Sequence, residues 1–341
     1  MDKKYIIIGA VLILIAAAAA VGFLGQKGGE KTTNTSGVPS VKYAGKKILF
    51  VNSYHEGYEW SDGVAKGIVG VLKDTGVELK THWMDTKRND SDQFGKEAGL
   101  LAKSVIEEFK PDVVIVCDDP AFKYLVKPYY KDAKLPFVFC GINWDTSIYG
   151  TPYKNATGMV EISLTPQLIS MLKEHSKGTR VGFIAGNTST DKKNAEYQSK
   201  MFNINFTKIY HVNTFNEWKA AFLNLQNETD LAILENNAGI VGWDSEAAEA
   251  FVLENIKIPL GTFQSFMMKY VLIGLIKIPE EQGEWSAQTA LKILDGASPE
   301  NIPEATNKKS DLMLNLKIAK KLNVSFTPVL IRTAKTIIKD E

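Results

Sequence analysis

The sequence is poor in the residues that build metal, haem and disulfide sites. It has only two cysteines and four histidines in 341 residues, and it has no CxxC or HExxH pattern. A dedicated zinc or haem centre has no support, and we expect neither a metal nor another cofactor. Cys117 and Cys140 lie inside apolar runs, VVIVC and PFVFC. This favours buried free thiols over a disulfide, because neighbouring strands bridge poorly without strain.

Motifs of nucleotide and acyl chemistry are also missing. The sequence has no GxGxxG, GxSxG or P-loop pattern, which counts against an enzyme with a Rossmann-like fold. The formal net charge is +1, from 40 Lys and Arg against 39 Asp and Glu, so no basic surface for nucleic acid is indicated. We therefore expect a protein that is not an enzyme and binds no nucleic acid.

A long uncharged run occupies the N-terminal region. Residues 5–25 read YIIIGAVLILIAAAAAVGFLG and follow Lys3 and Lys4. A helix of this length crosses about 30 Å of hydrocarbon, and the two lysines would keep its start in the cytoplasm. Residues 1–25 are interpreted as a signal peptide or a membrane anchor, and residues 26–45 as a flexible tether. The body is then extracytoplasmic, either membrane-anchored or secreted.

From residue 46 onward, apolar strands alternate with amphipathic helices. Short, fully apolar runs such as VVIVC are typical of strands buried on both faces of a parallel sheet. In the segment 91–110 the apolar residues recur at helical spacing: Phe94, Ala98, Leu101, Val105 and Phe109. The pattern predicts an α/β protein with two doubly wound, parallel-sheet lobes.

The order of elements also predicts how the chain divides. Residues 46–146 plus about 266–306 are expected to form lobe 1. Residues 147–265 plus about 307–341 are expected to form lobe 2. The chain then crosses between the lobes several times, and such lobes hinge about a cleft that closes on a ligand.

Ligands of open parallel sheets bind beyond the carboxyl ends of the strands. The residues that follow the predicted strands are therefore the candidates for ligand binding. In lobe 1 they are Ser53, Tyr54, Trp60, Asp118, Asp119, Asn143 and Trp144. In lobe 2 they are Asn187, Thr188, Glu235, Asn236, Thr262, Phe263 and Gln264. Polar groups would orient a solute and aromatic rings would cover it. The alternative role for the Asn, Ser, Thr and Asp residues is turn formation or helix capping.

Several stretches carry a family resemblance: ILFVNSYHEGYEWSDGVAKGI, PDVVIVCDDPA, NATGMVEISLTPQLISMLKE, RVGFIAGNTST and the tail ALKILDGASPENIPEATNKKSDLMLNLKIAKKLNV. Over about residues 46–338 the sequence resembles the ABC-transporter substrate-binding proteins of the tryptophan/tyrosine-uptake type. These belong to the type I periplasmic-binding-protein fold. The usual lipobox cysteine of the family is missing here, which leaves the N-terminal helix as the means of anchoring.

The resemblance implies a hinged receptor that captures a small organic solute in the cleft between the lobes. By analogy the solute is an amino acid, which the receptor delivers to an ABC permease and its ATPase subunit. The alternative is an extracytoplasmic ligand sensor that signals through a membrane partner. An enzyme of Rossmann-like fold is the remaining class, and turnover of a bound solute would indicate it.

Overall fold

The computed structural model describes residues 41–340. Its strands are β1 (Lys47–Asn52), β2 (Glu78–Trp83), β3 (Val113–Cys117), β4 (Phe137–Asn143), β5 (Ala156–Glu161), β6 (Val181–Gly186), β7 (Phe206–Val212), β8 (Leu231–Leu234), β9 (Leu260–Thr262), β10 (Ile273–Lys277), β11 (Ala305–Thr306), β12 (Ser310–Asn315) and β13 (Thr336–Ile338).

The helices are α1 (Glu59–Leu72), α2 (Asp92–Phe109), α3 (Asp118–Ala121), α4 (Lys127–Tyr129), α5 (Thr165–Lys173), α6 (Ser189–Phe202), α7 (Phe215–Glu228), α8 (Ser245–Asn255), α9 (Pro279–Leu294), α10 (Leu316–Leu322) and α11 (Pro328–Thr333). A π-helical turn, Phe122–Val126, joins α3 to α4. Short 3₁₀ segments are Ser147–Tyr149, Ser265–Tyr270 and Pro299–Asn301.

The first sheet has the strand order β11-β5-β4-β3-β1-β2, and all its strand pairs are parallel. Successive side chains of a strand point to opposite faces, so each face builds its own core. Ile48 and Phe50 pack with residues of α1 and α9, whereas Leu49 and Val51 pack with residues of α2. Both faces are covered, which explains why β1 and β3 are almost continuously apolar.

The second sheet has the order β13-β12-β10-β9-β8-β6-β7. Its pairs are parallel except β10 with β12, which run antiparallel. One large apolar core surrounds it, with Phe183, Trp218 and Phe222 among its largest buried side chains. The predicted α/β class with two predominantly parallel sheets is confirmed, and each sheet with its helices is one lobe.

The lobe boundaries differ from those expected. Strand β5 pairs with β4 in the first sheet, so lobe 1 continues to Glu161 rather than ending at residue 146. Strand β10 pairs with β9 in the second sheet, so residues 266–277 belong to lobe 2. The chain crosses between the sheets after β5, after β10 and after β11. The error arose because a strand's sequence specifies its burial but not its pairing partner.

Helix α2 shows a second difference. Its buried face comprises Gly95, Ala98, Gly99, Ala102, Ile106 and Phe109, whereas Leu101 is 58% exposed. A Cβ atom on Gly99 would lie 2.2 Å from the carbonyl oxygen of Tyr124. The π-helical turn therefore packs directly on the glycine side of the helix, and this contact rotates Leu101 into solvent.

The structure also revises the predicted tether at its last residues. Residues 41–45 form a turn against lobe 1, where the backbone N–H of Tyr43 donates to Thr75 O over 3.0 Å. The Tyr43 hydroxyl donates to Asp295 Oδ2 over 3.0 Å. The predicted signal peptide or anchor, 1–25, and the tether up to residue 40 lie outside the described residues. Within 41–340, no helix is long and apolar enough to cross a membrane.

The two cysteines occupy paired positions of neighbouring strands, Cys117 on β3 and Cys140 on β4. Both are buried and both are free. The prediction of buried free thiols is confirmed.

Candidate functional site

An ion pair joins the carboxyl ends of the two sheets. Lys277, the last residue of β10, donates from Nζ to Oε1 of Glu161, the last residue of β5. Because each residue ends a strand of a different sheet, the contact shows that the two carboxyl edges face each other. This is the arrangement that the sequence predicted for a cleft between the lobes.

A second contact between the lobes involves Trp144, which follows β4. Its ring stacks on Tyr197 of α6, with centroids 6.0 Å apart and planes 14° apart. Its indole N–H donates to Asn194 Oδ1 over 2.9 Å, and the Tyr197 hydroxyl donates to Asp145 Oδ2 over 3.1 Å. Trp144 is buried. The structure thus places this predicted ligand residue in packing between the lobes.

Asp118 lies at the end of β3 with a left-handed backbone, φ +69°. Its Oδ1 accepts a hydrogen bond of 2.9 Å from the Trp60 indole N–H, and its Oδ2 is buried without a partner. Burial raises the pKa of Asp118 well above its usual range, and the charge of Glu161 adds to the increase. A buried carboxyl oxygen without a partner has unused capacity to accept a hydrogen bond.

Tyr54 lies beside Asp118. Burial raises the pKa of the Tyr54 phenol well above its usual range, and the negative charges of Asp118, Asp119 and Glu161 add to this. Its ring meets Tyr58 edge to face at 5.4 Å, and Lys87 Nζ lies 5.0 Å from the centre of the Tyr54 ring. The phenol therefore lies close to the carboxyl groups at the tip of lobe 1.

Glu235 occupies the corresponding place in lobe 2, at the end of β8. It is 1% exposed, its Oε1 accepts 2.8 Å from Gln198 Nε2, and its Oε2 accepts 3.5 Å from Gln264 Nε2. Burial raises the pKa of Glu235, whereas the bond from Gln198 and the charge of Lys277 act in the opposite direction. Each lobe thus presents a buried carboxyl group at its tip.

The remaining candidates of lobe 1 bind the protein's own atoms. The Ser53 hydroxyl donates to Cys117 O over 2.5 Å and accepts from Ala121 N over 2.8 Å. Asp119 Oδ2 accepts from Asn143 Nδ2 over 3.0 Å, and its Oδ1 accepts from the Tyr149 hydroxyl over 2.5 Å. These bonds link the carboxyl ends of β1, β3 and β4.

Most candidates of lobe 2 also have structural contacts. Thr188 caps α6, Asn236 Oδ1 accepts from Ala238 N, and Thr262 Oγ1 accepts from Gln264 N. Phe263 is buried in the core of the lobe, and Asn187 is exposed and donates to Asn213. Gln264 remains beside Glu235.

Sequence reasoning missed Glu161, Lys277 and Gln282. Glu161 ends β5, which lies within the residues 147–265 that were predicted to belong to lobe 2, so its place near Asp118 was not foreseen. Gln282, on α9, accepts from the backbone N–H of Gly141 over 3.1 Å, and its buried Nε2 has no partner. A signal existed for Glu161 and Lys277, since each is a charged residue at the end of a largely apolar strand.

A cavity of about 770 Å³ opens beside Lys277. Lobe 1 contributes the start of α1 and of α9 to its wall, and lobe 2 contributes the end of β10, part of β12 and the start of β13. This volume is within the range of small-molecule sites, about 300–1,000 Å³. Among the described residues, no group of His, Cys, Asp or Glu has the arrangement of a metal site. Lys277 lines this cavity, whereas Asp118, Glu161 and Glu235 do not.

Comparison with solved structures shows the same fold in binding proteins. A ligand-free, open substrate-binding protein with adhesive properties from Clostridium difficile superposes with a TM-score of 0.67 at 17% identity, covering 86% of this chain and 100% of that one. An ABC domain from Streptococcus pneumonia in complex with L-Trp gives a TM-score of 0.55 at 18% identity, covering 86% and 99%. At these identities the likeness establishes the fold.

No match to the sequence was found among curated proteins. Residues 57–338 match the family described as ABC transporter substrate binding protein. Because this match extends over most of the chain and agrees with the fold, the protein belongs to the ABC transporter substrate binding proteins, a family of solute-binding proteins.

Proposed function

We propose that this protein captures an amino acid between its lobes and delivers it to an ABC permease. One observation carries the proposal: Glu161 of lobe 1 pairs with Lys277 of lobe 2 where the sheets face each other. The charge of Glu161 acts on the buried Asp118 of lobe 1, and the charge of Lys277 acts on the buried Glu235 of lobe 2. A site that combines carboxyl groups with an ammonium group is complementary to a solute that carries both charges.

Two further features support an amino acid. Tyr54 and Trp60 lie beside the carboxyl groups and offer apolar ring faces for a side chain. The S. pneumonia structure of the same fold contains L-Trp, so an aromatic amino acid of the tryptophan/tyrosine-uptake type is the first solute to test. The family of substrate-binding proteins favours a receptor over an enzyme.

Binding stabilises the closed form only through contacts made to both lobes. A solute held by Asp118 and Glu235 satisfies this condition, because these residues belong to different sheets. We propose that the closed form is presented to the permease and its ATPase on the outer face of the membrane. Residues 1–25 would serve as the signal peptide or membrane anchor.

Isothermal titration of the protein against all twenty amino acids, with sugars, nucleosides and short peptides as comparison classes, tests the solute. We expect an amino acid to bind and Asp118→Asn and Glu235→Gln to weaken it by about tenfold or more, the loss of roughly one charge-assisted hydrogen bond. Glu254→Gln, at an exposed position of α8, is the control. Binding confined to another class would overturn the amino-acid assignment.

Uptake of the bound amino acid by cells with and without this protein tests delivery. We expect uptake to depend on the protein at low external solute concentration. Unchanged uptake, combined with an altered transcriptional response to the solute, would instead establish the ligand sensor.

A further inference from the structure

The Glu161–Lys277 pair differs from the other ion pairs within residues 41–340. Its side chains are 9% and 22% exposed, and their combined exposure is the lowest of the pairs in this region; Lys317 and Glu249 follow at 28% and 27%. Among the ion pairs of this region, it is also the one that joins the end of a strand in the first sheet, β5, to the end of a strand in the second sheet, β10. An ordinary surface ion pair has neither property.

The surroundings of the pair place it where the proposed solute would bind. The charge of Glu161 acts on Tyr54 and Asp118 of lobe 1, and the charge of Lys277 acts on Glu235 of lobe 2. Lys277 also lines the cavity of about 770 Å³, which gives its flexible side chain space on the side away from Glu161 and Glu235, since neither of these residues lines that cavity. The pair therefore lies between the polar tips of the two lobes.

We propose that Glu161 and Lys277 occupy the solute site with their own charges and that an amino acid replaces this contact on binding. The solute's ammonium group takes the place of Lys277 Nζ on Glu161, and its carboxylate takes the place of Glu161 on Lys277. This inference rests on the proposed function and extends it, because it names the residues that select both charged groups of the solute.

The selectivity follows from the cost of leaving the buried Glu161 and the partly buried Lys277 without partners. Separating a buried ion pair without replacement leaves both charges uncompensated, which is strongly unfavourable. A zwitterion compensates both charges. An amine without a carboxylate leaves Lys277 unpaired, and a carboxylic acid without an amine leaves Glu161 unpaired. The wild-type protein should therefore bind an amino acid and reject both one-charge analogues.

The test uses two sets of three probes: L-tryptophan, tryptamine and indole-3-propionate, and L-leucine, isoamylamine and 4-methylpentanoate. Titration calorimetry is performed on the wild type, Lys277→Met and Glu161→Gln. We expect Lys277→Met to bind the amine more tightly than wild type and Glu161→Gln to bind the acid more tightly. Each change should be about tenfold, corresponding to about 1.4 kcal/mol, while both variants lose amino-acid affinity.

Lys317→Met is the matched control, because it breaks the next most buried pair, which lies wholly within lobe 2. It should leave the ranking of the probes unchanged. The inference is wrong if both site variants change the affinity for all three probes of a set in the same direction and to the same extent. That result would mean that the ion pair holds the lobes together without selecting the solute. If the wild type binds only sugars, nucleosides or peptides, the amino-acid assignment itself fails, which is a separate result.

Discussion

The indole N–H of Trp60 donates a hydrogen bond of 2.9 Å to Oδ1 of Asp118, 58 positions further along the chain. Trp60 lies in the first turn of α1, and Asp118 directly follows β3, so the bond links the carboxyl ends of the adjacent strands β1 and β3. A hydrogen bond to the ionised carboxylate favours that form, and this bond opposes the increase in the pKa of Asp118 caused by burial.

We expect Trp60→Phe to weaken solute binding by about tenfold, since a hydrogen bond to a charged group contributes about 1.5 kcal/mol or more. The ring remains in the variant, so the loss is that of the donor. The pKa of Asp118 should rise further, because the lost bond favours the ionised carboxylate. Titration calorimetry measures the affinity. An affinity equal to wild type would show that the bond does not support the site.

Gly141→Ala should destabilise the fold and displace Asp118. Gly141 has φ +71°, and an added Cβ would lie 2.5 Å from Asp118 Oδ1. Gly150→Ala is a matched control, because Gly150 has φ +80° with no atom within 4 Å of the added Cβ. Both variants should lose about 1 kcal/mol of unfolding free energy through the left-handed backbone, and Gly141→Ala should lose at least about 1 kcal/mol more. Urea denaturation measures both, and equal losses would contradict the close contact.

Tyr197→Ala should loosen the contact between the lobes, because it removes the ring that stacks on Trp144. An aromatic pair contributes about 0.5–1.5 kcal/mol, so the balance between open and closed forms should shift about two- to tenfold toward open. Small-angle X-ray scattering of the solute-free protein should show a larger radius of gyration. Tyr197→Phe keeps the ring and loses only the bond to Asp145, so it should remain near wild type. Identical scattering from all three proteins would rule out a role for the stack.

Glu235→Gln should stabilise the solute-free protein at neutral pH. Burial raises the pKa of Glu235 above its ordinary value of 4.5, so the folded state holds this proton more tightly than the unfolded state. The stabilisation that Glu235 contributes is complete below pH 4.5 and is lost as the pH rises through the folded-state pKa. The difference in unfolding free energy, variant minus wild type, should therefore grow from pH 4.5 to pH 8. Urea denaturation across this range measures it, with the exposed Glu254→Gln as control. A difference that falls with pH would refute the direction.

The local sequence was sufficient to predict the strands and helices and the layers that they form. The run 113–117 is apolar throughout, and this pattern indicated a strand covered on both faces, which the two cores around β3 confirm. The polar residues that follow strands were also identifiable, so Tyr54, Asp118, Glu235 and Gln264 were among the candidates. These features depend on interactions between residues close in the chain and on general burial.

Local sequence patterns could not predict which strands pair or which residues distant in the chain come into close contact. The run 156–161 reads as a strand, but nothing in it specifies pairing with β4 rather than with a strand of lobe 2. The apolar spacing in α2 indicated that Leu101 faced the core, and the approach of Tyr124 to Gly95 and Gly99 decided otherwise. Trp144 was identifiable as a large ring after a strand, but its stacking partner was not.

The sequence by itself determined that this protein has two α/β lobes whose polar residues collect at the strand ends, because burial and periodicity are properties of consecutive residues. Only the tertiary structure decided that Glu161 meets Lys277 between the sheets and that Trp144 packs on Tyr197. Those contacts join residues far apart in the chain, and their existence depends on where each strand finds its place in a sheet.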